Sequence, residues 1–271
     1  MSVGVRSLGS GSSGNGLLIE GDGTSLVVDC GIGPRVLASG LRAAGRTVGE
    51  LDAVLLTHEH VDHVRALPRV IKERVPVIAT AGTLRAAGIA SGGAEAIALG
   101  GELAVAGASV TAIGVSHDAA EPCGYHVRLA GIAVTVVTDL GRPEPALAAY
   151  LAAADLIVIE ANHDEAMLRA GPYPAHLKRR VLSATGHLSN AACGRLLLEA
   201  LAGSRRRPTV WLAHLSTTNN RPTLARQTVQ RAIAAGGFVA PVVPLPRHGH
   251  DLVWRPGLSS AETVQLSLPL G

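Results

Sequence analysis

The stretch Thr57-His58-Glu59-His60-Val61-Asp62-His63 constrains this chain more than any other. Three imidazoles and a carboxylate crowd together there, directly after the largely apolar run 51–56. That run reads as a buried strand, so the cluster sits where a strand ends and a loop begins. A turn at this place can aim His58 and His60 at one point, and Asp62 and His63 at a second point nearby. Imidazole and carboxylate together suit zinc, manganese or iron better than calcium or magnesium. The cluster therefore predicts a metal site, and one with ligands enough to begin two.

A second ion needs further ligands, and strand ends at one edge of a sandwich converge. Four titratable residues stand straight after buried-strand patterns. Asp29 ends SLVVD, His117 follows TAIGVS, Asp139 ends IAVTVVTD and His214 ends TVWLAH. The intervening periodicities support a layered fold. Strands are expected at 3–8, 17–20, 25–29, 51–56 and 75–80, with helices at 34–44 and 64–72. Residues 102–114 and 124–138 read as hairpin-like strands. A helix at 145–154, a buried strand at 156–160, a helix at 191–202 and a strand at 208–214 follow. The helix 221–235 has a proline just inside its start, and final strands are expected at 239–244 and 251–254. Strands and helices thus recur in two successive halves, which favours an α/β sandwich. One domain over 1–255 and a C-terminal tail over 256–271 are expected.

Composition narrows the functional classes. A chain of 271 residues with 47% hydrophobic and 17% charged residues has ample material for a core. One Phe, three Tyr and two Trp leave that core to Ala, Val, Leu and Ile. They also disfavour a binder that stacks single-stranded bases on aromatic rings. A net charge of +3 permits a phosphate-rich partner without requiring one. Cys30, Cys123 and Cys193 are far apart and odd in number, so reduced thiols and a cytoplasmic setting are expected. The opening MSVGVRSLGSGSSGNG lacks the apolar segment of a signal peptide. Asp155 interrupts the Ala-rich stretch 146–159, so no membrane partner is expected.

With Asp29, the His58-x-His60-x-Asp62-His63 run, His117, Asp139 and His214 in order, the chain resembles the metallo-β-lactamase-fold hydrolases over residues 3–254. The resemblance implies a four-layer αββα sandwich and two divalent ions, zinc or manganese, with iron also compatible. It implies that His58, His60 and His117 hold one ion, that Asp62, His63 and His214 hold the other, and that Asp139 bridges both. Asp29 would stand behind the ligands and orient one of them or the loop. An aspartate bridge with three ligands per ion resembles the phosphodiesterase and nuclease branch; in the β-lactamases a Cys commonly replaces that aspartate. SLGSGSSGN (7–15), SHDAAEPCGY (116–125), EANHD (160–164), GPYPAHLKRRVLSATGHLSN (171–190) and HLSTTNNRP (214–222) resemble the YycJ/WalJ group of that branch. Ala66 departs from a common Gly and Cys123 from a usual Val, and neither touches the ligand set.

Two divalent ions about 3.5–4 Å apart acidify a water and neutralise charge on phosphate oxygens, which suits phosphodiester hydrolysis. The leaving alkoxide needs a proton, and by the resemblance His187 is the candidate to supply it; its other reading is a residue at a helix start. With Asp62 and Asp29 it completes the expected catalytic set. For substrate, the loop 9–16 offers backbone N–H groups, the hydroxyls of Ser10, Ser12 and Ser13, and Asn15. Lys178, Arg179 and Arg180 form a basic segment that either follows a nucleic-acid backbone or faces solvent. Asn219 and Asn220 either cap a helix or touch phosphate, and His163 and Asp164 are further candidates. In the tail, Gln265, Leu266, Leu268 and Leu270 lie in QLSLPL, which resembles the peptide that docks on the DNA sliding clamp; an edge strand on the protein's own sheet is the other reading.

The resemblance implies a 5′-to-3′ DNA exonuclease linked to repair or replication. Rival readings are a cyclic or nucleotide phosphodiesterase, an RNA nuclease, and a clamp-tethered binding module whose metal site is structural.

Overall fold

The computed structural model describes residues 3–89 and 92–257. The clamp-like residues Gln265 to Leu270 therefore lie outside the described residues. The first half of the chain supplies β1 (Gly4–Gly9), β2 (Gly16–Gly21), β3 (Thr24–Val28), β4 (Ala53–Leu55), β5 (Val77–Ala79) and β6 (Ala94–Ala96). The second supplies β7 (Glu102–Val105), β8 (Ala108–Gly114), β9 (Cys123–Leu129), β10 (Ile132–Val137), β11 (Leu156–Glu160), β12 (Thr209–Ala213) and β13 (Val242–Pro244). The last strand, β14 (Val253–Trp254), crosses back to the first sheet. The sheets run β14-β1-β2-β3-β4-β5-β6 and β13-β12-β11-β10-β9-β8-β7. Each is antiparallel on one side and parallel on the other, the change falling at β3 and at β10.

This architecture explains the apolar runs. Parallel strands covered on both faces cannot alternate polar with apolar. In β3, Leu26 and Val28 enter the layer between the sheets, while Val27 meets the outer helices. In β11, Leu156 and Val158 point inward, and Ile157 and Ile159 outward. Trp211 and Tyr125, wholly buried, fill the inter-sheet layer. The Tyr125 hydroxyl donates to the Leu56 carbonyl at 2.7 Å, fastening the second sheet to the end of the first.

Helices cover the outer faces. On the first sheet lie α1 (Pro34–Ala43), which buries Leu37 and Leu41, and, after the four-residue α2 (Val61–Val64), α3 (Leu67–Lys72) and α4 (Ala81–Ala86). The second sheet carries α5 (Leu147–Ala153); then come the short α6 (Glu165–Ala170) and α7 (Ala175–Val181), and the longer α8 (Asn190–Leu201) and α9 (Pro222–Ala235). The stripe Ala225, Val229, Ile233 on α9 follows the four-residue spacing of an amphipathic helix. Helix, sheet, sheet and helix are the expected four layers.

Some boundaries differ from expectation. The helix expected at 64–72 is split into α2 and α3, because Pro68 has no N–H to donate and restarts the helix in its first turn. The final strands are shorter than expected, at Val242–Pro244 and Val253–Trp254. The strand β6 and the helices α4, α6 and α7 carried no sequence expectation. All three cysteines are free and buried, in keeping with inert thiols. Among the described residues no helix is long and apolar enough to cross a membrane.

Candidate active site

The polar residues gather where parallel strands end. Asp29 follows β3, His58 follows β4, Asp139 follows β10, Glu160 ends β11 and His214 follows β12. The register pairs Val137 with Ile159 and Ile159 with Leu212, so the last three ends are level. Asp29, Asp139 and His214 each turn with positive φ, at 58°, 54° and 55°. A non-glycine residue there costs of order 1 kcal/mol or more. The turn that aims each side chain is therefore bought against local preference.

Two trios of ligand atoms result. His58 Nε2 lies 3.1 Å from His60 Nδ1, which lies 3.3 Å from His117 Nε2. Asp62 Oδ2 lies 3.4 Å from His214 Nε2 and 3.8 Å from His63 Nε2. Ligands about 2.1 Å from a tetrahedral ion stand about 3.4 Å apart, so both trios have the spacing a divalent ion requires. Asp139 lies between them, with Oδ2 3.1 Å from His63 Nε2 and Oδ1 3.8 Å from His117 Nε2. Among the described residues no N–H or O–H is aligned on its buried Oδ2, which fits an oxygen whose partner is a cation. His58, His60 and His117, and likewise Asp62, His63 and His214, form compact ligand groups.

The far sides of His63, His58 and His117 are also fixed. His63 Nδ1 is 2.7 Å from Asp29 Oδ2, His58 Nδ1 is 3.0 Å from the Thr57 hydroxyl, and His117 Nδ1 is 3.2 Å from the Gly186 carbonyl. Asp29 Oδ1 also accepts from the Thr57 N–H at 2.9 Å. Such partners set the tautomer and leave the other nitrogen to the ion. Asp29 therefore touches a ligand and the loop, and does not face the cleft. The electrostatics agree with a site built for cations. Burial, aided by His63, keeps the His58 imidazole well below its ordinary value, and burial lowers His117. Burial opposes charge on His63, yet Asp29 and Asp139 raise it to about 10. Despite its burial, Asp139 beside His214 and His63 is held well below the usual carboxylate range.

Glu160 is the residue the sequence reading left without a role. It is fully buried. Its Oε1 accepts from His187 Nδ1 at 2.9 Å and His214 Nδ1 at 2.8 Å, and its Oε2 from the Leu140 and Leu188 N–H groups at 2.9 and 3.0 Å. Burial works against its charge, but His187 beside it holds its carboxyl down at about 2. The signal was present, since Glu160 ends LIVIE as Asp29 ends SLVVD. His187 responds in turn: burial lowers it, but Glu160 lifts it above its ordinary value.

A cleft of about 220 Å³ opens over these groups, lined by Ser12, His60, Asp62, His117, Asp139, Arg180, His187 and His214. Several other expected substrate contacts are turned elsewhere. Ser10 accepts the His214 N–H at 2.9 Å through its hydroxyl. Ser13 gives its carbonyl to Arg65 at 2.6 Å. Asn15 accepts the Gly11 N–H at 2.8 Å and donates its own N–H to the Asp62 carbonyl at 2.8 Å. The N–H groups of Ser10, Gly11, Gly14 and Asn15 are thus spent within the scaffold. The loop braces the candidate metal ligands, and Ser12 alone of its hydroxyl residues lines the cleft. The fit is close: a Cβ on Gly31 would lie 1.6 Å from the Asp62 carbonyl oxygen, so only glycine can stand there. Lys178 donates to the Arg169 carbonyl at 2.6 Å, and Asn219 is buried with its N–H on the Ser216 hydroxyl. His163 is buried and Asp164 caps α6 by accepting the Met167 N–H.

Comparison with known proteins agrees with this geometry. A family model described as a β-lactamase superfamily domain matches residues 24–214. The exodeoxyribonuclease YycJ of Bacillus anthracis is 32% identical over 85% of this chain and 89% of its own length. The exodeoxyribonuclease WalJ of Streptococcus pneumoniae is 32% identical over 84% and 87%. The metallo-β-lactamase-fold protein YhfI of Bacillus subtilis superposes with a TM-score of 0.71 at 19% identity, over 94% of this chain and all of its own. The chain belongs to the metallo-β-lactamase superfamily and, within it, to the family of the YycJ and WalJ exodeoxyribonucleases. It is accordingly a hydrolase of the phosphodiesterase and nuclease kind.

Proposed function

We propose that the protein is a dinuclear metal-dependent exonuclease that hydrolyses DNA from the 5′ end, in repair or replication-linked processing. The observation that carries the dinuclear reading is Asp139, whose two oxygens face the two ligand trios. Zinc or manganese suits the His and Asp donors, with iron also compatible. Divalent ions held by His58, His60, His117, Asp62, His63, His214 and Asp139 would supply positive charge for phosphoryl oxygens and would lower the pKa of a water towards neutrality.

The protein's own groups do the rest. Glu160 takes the Nδ1 side of His187, which leaves Nε2 for the cleft. The same carboxylate lifts the His187 imidazole above its ordinary value and so favours the protonated form that would supply a proton to the departing alkoxide. Asp29 and Glu160 hold His63 and His214 in the tautomers that ligation needs. The choice of DNA is supported by the 32% identity to two exodeoxyribonucleases across most of both chains.

The test is metal-loaded protein incubated with duplex DNA labelled at either end, single-stranded DNA, RNA and bis-p-nitrophenyl phosphate. Mononucleotides released first from a 5′ label are expected. Cleavage of the small diester alone would overturn the nuclease reading in favour of a small-molecule phosphodiesterase, and preference for RNA would make the protein an RNA nuclease.

A further inference from the structure

We propose that Arg180, aimed by Asp118, grips the non-bridging oxygens of the nucleic-acid phosphate in this cleft; the assignment rests on the phosphodiesterase reading and names one of its binding groups. Among the described residues lining the cleft, Arg180 alone carries a permanent positive charge. The other two members of its basic segment are no substitute, since Lys178 is bound to a carbonyl and neither it nor Arg179 lines the cleft.

The guanidinium is held at one corner. Arg180 Nε donates to Asp118 Oδ2 at 2.8 Å, and among the described residues no other hydrogen bond holds the guanidinium. Its two Nη amines thus present the forked donor pair that matches a phosphate's oxygens. Asp118 carries that placement to the candidate metal ligands, because it directly follows His117 in the chain. The pair is half exposed, at 56% for Arg180 and 35% for Asp118, and exposed ion pairs contribute little to stability. Placement, not folding energy, is what this contact supplies.

Both partners stand on fixed supports. The loop bearing Asp118 is pinned by the Ala120 N–H to Glu59 at 2.8 Å and by the Thr80 hydroxyl to the Glu121 carbonyl at 2.6 Å. The backbone of Arg180 packs on the turn that carries His187: a Cβ on Gly186 would stand 2.2 Å from the Arg180 carbonyl oxygen. The His187 N–H donates to the Val181 carbonyl at 3.0 Å, and the Gly186 carbonyl faces His117 Nδ1 at 3.2 Å. Arg180, His187 and His117 are therefore positioned as one unit.

The test uses metal-loaded full-length protein with Arg180→Ala, Arg180→Lys and Asp118→Asn, and Arg231→Ala on the exposed face of α9 as a charge control. Inorganic phosphate binding is measured by calorimetry, and KM, kcat and the salt dependence of affinity are measured on duplex DNA. A charged hydrogen bond of this kind predicts that Arg180→Ala weakens phosphate binding and raises KM about 10- to 100-fold, with metal content unchanged. The slope of log affinity against log salt should fall by about one. Lys restores the charge without the fork, and so only part of the effect; Asp118→Asn shifts KM in the same direction by less. Phosphate binding and KM in Arg180→Ala equal to those of wild type and Arg231→Ala would overturn the assignment. If wild type leaves DNA intact but Arg180→Ala still weakens phosphate binding, the nuclease reading fails and the anion site stands.

Discussion

Glu160→Gln changes one atom in a fully buried side chain, and the structure allows no harmless outcome. The carboxylate accepts from four donors, two on each oxygen. An amide has one acceptor oxygen and one NH2. If the oxygen faces the Leu140 and Leu188 N–H groups, the NH2 faces His187 and His214. Each imidazole must then present a bare Nδ1 and move its proton to Nε2. For His214 that blocks the atom expected to ligate, a loss of about 10- to 100-fold in metal affinity. For His187 it removes the charged donor, worth about 10²–10⁴ in rate. If the amide turns the other way, two buried N–H groups lose their acceptor at about 1–3 kcal/mol each, and the fold loses about 2–6 kcal/mol. Calorimetric melting, metal content by mass spectrometry and turnover of bis-p-nitrophenyl phosphate together distinguish the two orientations. A variant with wild-type melting, metal and turnover would refute the assignment of Glu160 as the group that sets both tautomers.

Other perturbations test other parts of the site. His187→Ala should lower kcat by about 10²–10⁴ while both ions are retained; loss of an ion, read by metal analysis, would make His187 a ligand instead. Asp62→Ala or His63→Ala should abolish hydrolysis and cost one ion per chain without unfolding the sandwich; full activity in either would refute the second trio. Chelation should abolish activity, and zinc or manganese should restore it. Reloading has a proton signature. In the metal-free protein His63 sits at about 10, so it is protonated at pH 7 and must lose that proton to ligate. Titrations in buffers of different ionisation enthalpy should show release of at least one proton per chain at pH 7, diminishing as the pH rises through 10. A pH-independent count would contradict the placement of His63.

Outside the His-rich run itself, the parts of the site legible in the sequence stand at the ends of apolar strands. That rule marks Asp29, His58, Asp139 and His214, and it equally marks Glu160, which ends β11. Substrate contacts were less legible. Ser10 and Asn15 look like phosphate donors in a Gly/Ser-rich loop, but the His214 N–H occupies the Ser10 hydroxyl, and the Gly11, Gly31 and Asp62 backbones occupy Asn15. Sequence cannot show which way a hydroxyl turns when its neighbours arrive from distant segments. The same limit hides Arg180, which local periodicity does not distinguish from Lys178. In the fold, long buried strands were read correctly, whereas β6, α4, α6 and α7 are too short to display a period.

The two sheets meet in the proposed metal ligands as well as in the core. His58, His60, Asp62 and His63 hang from the first sheet, and His117, Asp139 and His214 from the second. Each trio takes two ligands from one sheet and one from the other, so the ligand spacings measure how the sheets are stacked. A slide of a few tenths of an ångström between the layers would detune both trios together. Substitutions at Tyr125 or Trp211, remote from any substrate, should therefore register first as altered metal occupancy, while equal changes beneath α5 or α9 should register as lost stability alone.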